Sequence, residues 1–466
     1  MQSAMAPENR SSLARRLGPF DAAAIIISNV IGGGILFTPP QIAARVPRPM
    51  LFLATWLAGG ALAFAGAMAY AELATVRPRA GGEYVYLDAA FGRLSAFLTG
   101  WTSFVAGFSG AIATSAVVFA FYLDRFVPGA ANPAPLFIVP LPWIPLTVSR
   151  EALVALAVIA LMAWIHVRGV GPGRIVGNVL AGLKVSALVL FLALGFSFGS
   201  GSTANLQSSG GALGGASWLL ALVPVMFTYA GWNAATYVAE EIRDPSRNVP
   251  IALAAGTLAV VAIYFALNLL YLYVLPIGSL AAVRGSVLDV IADRLLGVRA
   301  GNVMGVVSIV SLAASISAMT IAGPRVYYAM ARDGVFLPVA AAVHPRYRTP
   351  AISIVAQSMW SGLLVLSGGA DALIRYTGFT VILFSGVAVA ALFVLRAREP
   401  AAPRPFRAFG YPAAPAVFVI ASILIVVNAI YSDPRPSFAG LGIILAGVPL
   451  YMVFSSRIKD GPRNER

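Results

Sequence analysis

Two stretches and one side chain carry the chemistry in this 466-residue sequence. The first stretch is Asn29-Val30-Ile31-Gly32-Gly33-Gly34-Ile35-Leu36-Phe37-Thr38-Pro39-Pro40, inside an apolar run that opens near Phe20. Each glycine costs about 1 kcal/mol against alanine in a helix interior, and without a Cβ the backbone can leave helical geometry and let another group approach. Non-helical backbone at membrane depth is tolerated only where it is buried in protein or lines a wet cavity. The triplet therefore predicts an unwound hinge, with close helix packing through small residues as the competing use. The second stretch, Phe227-Thr228-Tyr229-Ala230-Gly231-Trp232-Asn233, predicts a matching interruption in a later apolar run. Half-helix ends leave N–H and C=O groups unpaired. The N–H groups at a positive dipole end suit a carboxylate, and free carbonyls suit an ammonium. A zwitterionic α-amino acid presents both. The amides of Gly32, Gly33 and Gly34 are the expected carboxylate site; carbonyls near Ile31, Phe227, Thr228 and Ala230, with Gly231 at the turn, are the expected ammonium site. Phe227 and Trp232 flank the second interruption, where an aromatic could cover a substrate, although most aromatics in such a chain only pack or form interfacial belts.

The single side chain is Lys184. The chain has two lysines, and the other, Lys459, is near the C-terminus. Lys184 falls near the middle of an apolar run, where a lysine costs about 2.5–3.5 kcal/mol on the insertion scale and usually marks an ion or proton path. Its ammonium could stand in for a bound sodium ion, tying its helix to carbonyls of the first break and to Ser315 or Ser317, which would make transport sodium-independent. It could instead exchange a proton during transport, or merely staple two helices.

What is missing narrows the field further. The eighteen Asp and Glu fall at run ends, loops or tails, with Asp21 and Glu72 nearest an interior, so a neutral substrate is expected over a cationic one. With no cysteine and two histidines, thiolate and His-rich metal sites are not expected, nor is any cofactor. No midplane acid–base pair marks an enzyme.

These residues need a membrane to position them. Hydrophobic residues make up 59% and charged residues 11%, against about 45–50% and 25% in soluble domains, and apolar runs of spanning length recur throughout. The reading is twelve spans: about 18–44, 50–75, 92–123, 150–168, 173–197, 217–241, 249–275, 300–330, 350–368, 372–395, 414–431 and 437–456. With the N-terminus inside, 22 of the 32 Lys and Arg fall on the inner side and nine outside. That positive-inside bias explains the net charge of +14 without a nucleic-acid partner. The first run is too long for a signal-peptide h-region and ends in Pro-Pro.

The interrupted runs are the first and the sixth, matching positions if spans 1–5 and 6–10 are two copies of opposite topology, which points to a transporter's binding site. The expected organisation is a cytoplasmic tail (1–17), a first repeat (18–198), a Gly/Ser outer linker (199–216), a second repeat (217–395), two final helices with their inner loop (396–456) and a cytoplasmic tail (457–466). A Pro-rich outer loop at 127–147 holds no long helix. Glu240-Glu241-Ile242-Arg243-Asp244-Pro245 reads either as inner-gate ion pairs or as a solvated helix end stopped by proline.

Several motifs in order resemble the amino acid–polyamine–organocation (APC) permeases: Ile31-Gly32-Gly33-Gly34-Ile35, Tyr70-Ala71-Glu72-Leu73 through Gly81-Gly82-Glu83-Tyr84, Tyr229-Ala230-Gly231-Trp232-Asn233 with Glu240-Glu241, Arg325-Val326-Tyr327-Tyr328-Ala329-Met330-Ala331-Arg332-Asp333-Gly334, and Arg404-Pro405-Phe406-Arg407. The likeness is greatest to the L-type amino acid transporters and their bacterial relatives. It implies an all-α polytopic fold of twelve helices in a LeuT-type five-plus-five inverted repeat, and amino acid transport by alternating access. It also implies that Lys184 replaces sodium and that Phe227 is the gating aromatic. The family's glycine-serine-glycine reads Gly32-Gly33-Gly34 here. Animal members join a glycoprotein subunit through a disulfide, which a chain without cysteine cannot do. The expectation is a free-standing, sodium-independent exchanger of neutral L-amino acids in a bacterial inner membrane, both termini cytoplasmic. A proton-coupled importer using Lys184 is the alternative, and a channel the more distant one.

Overall fold

The computed structural model describes residues 13–142, 145–199, 201–207, 215–368, 370–432 and 434–459. Parts of both expected tails and of the 199–216 linker lie outside them.

The first apolar run forms three helices rather than one. Helix α1 (Pro19–Val30) starts with Pro19, whose fixed φ suits a first helical position, and the Gly18 amide donates to Asp21 Oδ2 at 2.7 Å. It stops where Ile31 and Gly32 leave helical geometry (φ −76°, ψ 91° and φ −136°, ψ −146°). The chain resumes as α2 (Gly33–Phe37) and, past Thr38, α3 (Pro39–Arg45). Then come α4 (Pro49–Val76) and α5 (Glu83–Phe91). Next, α6 (Arg93–Thr102) continues through a π-helical turn (Ser103–Gly107) into α7 (Phe108–Leu123).

A short antiparallel ribbon, β1 (Pro135–Val139) and β2 (Leu146–Ser149), occupies the Pro-rich loop. It is a small departure from the expected all-helical chain. Helices α8 (Arg150–Val167), α9 (Val170–Phe198) and the short α10 (Ala204–Gln207) follow.

The second interruption separates α11 (Gly215–Tyr229) from α12 (Ala234–Tyr237). At its centre Gly231 has φ +107°, and a Cβ there would lie 2.5 Å from Asn29 Nδ2. Glycine is thus required both for the left-handed backbone and for the approach of the two breaks. The remainder is α13 (Pro245–Val274), α14 (Ile277–Ala281), α15 (Val287–Leu296), α16 (Val298–Arg332), α17 (Ala351–Leu366), α18 (Ala370–Arg398), α19 (Ala413–Ser432) and α20 (Pro434–Lys459).

Among the described residues ten helices are long and apolar enough to cross a membrane. Two shorter apolar helices, Trp218–Tyr229 and Ala351–Leu366, occupy the places of expected spans six and nine. The chain is a mostly helical, multi-pass membrane protein. Helix α4 packs along α13 and α7 along α16, while α1 lies between α13, α9 and α16. Trp56, Tyr229 and Tyr264 meet edge-on or tilted, 5.1–6.1 Å between ring centres, and fill the space beside the two breaks.

Candidate functional site

The carbonyls released at the first break are not left bare. Lys184, fully buried on α9, donates from Nζ to Ser28 O at 3.2 Å and to Ile31 O. From α16, Ser315 Oγ donates to Ser28 O at 2.8 Å and approaches Ile31 O at 3.3 Å, where Ser311 Oγ also lies at 3.3 Å. Tyr264 Oη lies 2.8 Å from Val30 O and 3.2 Å from Thr228 O, so one phenol joins the two breaks. Asn29 Nδ2 donates to Gly231 O at 3.3 Å, a second link between them. The lysine and Ser315 therefore meet as expected. Ser317 does not join them: its hydroxyl is 2.9 Å from His166 Nε2, and Ser311 takes the second place beside the lysine.

A cavity of about 190 Å³ lies between the breaks, bounded by Gly32, Gly33, Gly34, Thr228, Ala230 and Gly231. A Cβ on Gly32 would stand 3.1 Å from Ser315 Oγ and one on Gly34 3.1 Å from Thr228, whereas one on Gly33 would meet nothing within 4 Å. The middle glycine thus faces open space. Ile31 is outside the cavity lining; its carbonyl is turned toward Lys184, which removes it from the expected ammonium site. Trp232 is outside it too, packed edge-on against Tyr70 and Phe418 at 4.8 and 5.8 Å. Of the two expected gating aromatics, only Phe227 borders the cavity. It also borders a larger vestibule of about 710 Å³ that includes Phe37, Gln41, Arg45 and Ser432.

Other walls went unread in the sequence. The π-helical turn brings Ser103 and Gly107 to the cavity, with Phe108 beyond it, and Thr380 and Phe384 come from α18. The largest revision concerns Glu83. Gly82, at φ +52°, turns the chain back into the protein, so that Glu83 begins α5 at the cavity wall. Its Oε1 accepts from Tyr70 Oη at 2.6 Å, Asn233 Nδ2 at 2.9 Å and Ser385 Oγ at 3.3 Å. Burial raises the pKa of this carboxyl above the ordinary value, and the three donors only partly offset it. One carboxyl group therefore does border the cavity, against the expectation from the acidic inventory.

The face at which α1 begins is closed by ion pairs. Leu17 bridges to Ile242 there. Glu241 and Arg325 form a buried bidentate pair at 2.7 and 3.1 Å. Arg332 meets Glu240 at 2.9 Å, Arg79 meets Asp333 at 2.7 Å and Arg77 meets Glu399 at 2.5 Å. Glu72 accepts from Arg396 at 2.6 and 2.8 Å and from the Ala408 amide at 2.6 Å. The Glu240-Glu241 stretch is thus paired rather than merely solvated. The vestibule lies toward the ends of α3 and α19, away from these pairs. No group of His, Asp or Glu placed to hold a metal occurs among the described residues.

Residues 17–454 match the family model described as amino acid permease. Asc-type amino acid transporter 1 of Mus musculus is 28% identical over 454 residues, covering 95% of this chain and 82% of that protein. Large neutral amino acids transporter small subunit 2 of Homo sapiens is 28% identical over 452 residues, covering 95% and 81%. The b(0,+)-type amino acid transporter 1 of Mus musculus is 27% identical over 449 residues, covering 95% and 88%. With a closed ion-paired face, a central cavity between two broken helices and this match over nearly its whole length, the chain belongs to the amino acid permease family of the APC superfamily and is an amino acid transporter, not an enzyme.

Proposed function

We propose that this permease carries neutral L-α-amino acids without sodium, by alternating access, exchanging one for another. The observation that carries the reading is the shared cavity between two helix breaks, beside which a fixed ammonium already holds the Ser28 and Ile31 carbonyls. In this account the amides of Gly32, Gly33 and Gly34 take the substrate carboxylate. Carbonyls of the second break near Phe227, Thr228 and Ala230 take its ammonium, Gly231 supplies the turn and Phe227 closes the cavity toward the vestibule. Lys184, with Ser315, replaces a sodium ion. The similarity to a large neutral amino acids transporter supports a neutral substrate.

The architecture we propose is twelve spans in a LeuT-type five-plus-five inverted repeat with the segment boundaries given above. The packing of α4 on α13 and of α7 on α16 supports it, since these pair the second and third spans of each set. The basic, ion-paired face is assigned to the cytoplasm by the charge bias, with both termini on that side and a bacterial inner membrane as the setting. With no cysteine in the chain, a disulfide-linked subunit is not part of the proposal.

The test is uptake of each radiolabelled neutral amino acid into proteoliposomes, with and without preloaded substrate, in sodium and in choline buffer. Uptake that requires a preloaded interior and ignores the choline replacement is expected. Uptake driven by a sodium gradient into empty vesicles would end this reading.

A further inference from the structure

Glu83 differs from the other buried acids of this protein. Asp21, Glu72 and Glu241 each face an arginine. Glu83 is almost fully buried at the cavity wall, and among the described residues its hydrogen bonds come from neutral donors only. Tyr70 faces it from α4, Asn233 from the second break, Tyr237 from α12, Tyr86 from its own helix and Ser385 from α18. The buried cation on α16, Arg325, is engaged by Glu241. A buried carboxylate without a paired cation costs several kcal/mol even after relaxation.

The placement of the donors points the same way. All three converge on Oε1, and none of the described hydrogen bonds reaches Oε2. That leaves Oε2 as the oxygen able to carry the hydrogen in the acid form.

We infer that Glu83 is a proton-binding site of the transport cycle, protonated while the ion-paired face is closed and ionised when that face opens. This rests on the reading of the cavity as the transport site. A hydronium ion reaching the cavity gives its proton to Oε2 and leaves as water. On opening, Asn233 and Tyr237 move with the second break, water reaches the acid, and the proton passes to that water, leaving a carboxylate. Burial, the largest influence on this group, favours the neutral form in the closed state. A neutral Glu83 also presents no negative charge to the substrate side chain, which agrees with neutral cargo.

Two measurements on the full-length protein decide it. The first is the infrared difference spectrum of wild type minus E83Q in detergent, taken at about pH 6, well above the ordinary glutamic acid value near 4.3. It should contain a protonated-carboxyl C=O band that gives way to a carboxylate band as pH rises. A carboxylate band alone at that pH overturns the inference. The second is exchange of radiolabelled L-alanine, L-serine and L-leucine in preloaded proteoliposomes from about pH 5 to pH 8. Wild type and E83D should vary several-fold across the range, and whatever exchange E83Q retains should be flat. An E83Q profile that follows the wild type overturns the coupling. If wild type exchanges none of the three, the transport reading fails, and the infrared result still decides whether Glu83 holds the proton.

Discussion

At the first break the carbonyls of Ser28 and Ile31 face the buried Lys184 Nζ and two serine hydroxyls. At the second, Thr228 O faces a phenol, and Gly231 O faces a side-chain amide and the Ala234 backbone amide. The first set of partners includes Lys184 Nζ, which is tethered by its own helix and cannot leave. The second consists of neutral donors at 3.0–3.3 Å, each worth about 1 kcal/mol net and replaceable by a stronger one. In the proposed cycle this separates the roles: the first break offers its amides to a carboxylate while its carbonyls stay occupied, and the second is the one that can exchange partners with an incoming ammonium.

The comparison is most directly broken at Lys184. Lys184→Ala should reduce uptake in proteoliposomes to background while the protein remains extractable and folded; full uptake would remove the fixed charge from the mechanism. Next in size is the lower end of the second break, held by Glu241 and Arg325. Removing one partner of a buried pair costs about 3–5 kcal/mol, so Arg325→Ala should show a loss of that order in denaturant unfolding in detergent. A loss near zero would mean the break is held elsewhere.

Tyr264→Phe takes away the hydroxyl common to both breaks and should cost about 1–3 kcal/mol, because a buried carbonyl is left unpaired. Exchange should slow with it. At Gly33 the effect should move from stability to selectivity. A small side chain there meets open space, so Gly33→Val should alter stability by no more than about 1 kcal/mol yet exclude the bulkier competitors of uptake. An unchanged competition profile would put the substrate elsewhere.

The gentlest effect is on pH. A carboxyl whose folded-state pKa lies above its unfolded value binds more protons folded than unfolded. The stability it contributes is present at acid pH and is lost as pH rises through the folded value. For Glu83, whose pKa burial raises, thermal stability in detergent should decline as pH rises above the ordinary glutamic acid range, and E83Q should lack that decline.

Both breaks were legible because three glycines in an apolar run, or a glycine between Ala230 and Trp232, have few uses that justify their cost in a helix. Lys184 was legible because a lone cation in a span needs partners. Which serine partners it has follows from helical period, though only once a face is chosen. Ser311 and Ser315 are one turn apart on the same side of α16, whereas Ser317 lies about 200° around from Ser315 and reaches His166 instead.

Glu83 was hidden by its neighbours. Pro78 and the Gly81-Gly82 pair read as the end of a helix on the way to water, and only the positive φ of both glycines reveals that the chain returns inward. Trp232 and Phe227 sit on opposite sides of a turn whose direction no periodicity describes. The π-helical turn at Ser103–Gly107 depends on one extra residue in a helix, and its composition does not announce it.

A phenol has a single hydrogen to donate, yet Tyr264 stands within reach of Val30 O and Thr228 O at once. At any instant one of those carbonyls must do without it. Transferring the hydrogen from one to the other needs only a torsional rotation of the O–H, far smaller than any helix movement. The two half-sites are thereby set in competition, and the vacancy can be handed from one to the other through a single rotor.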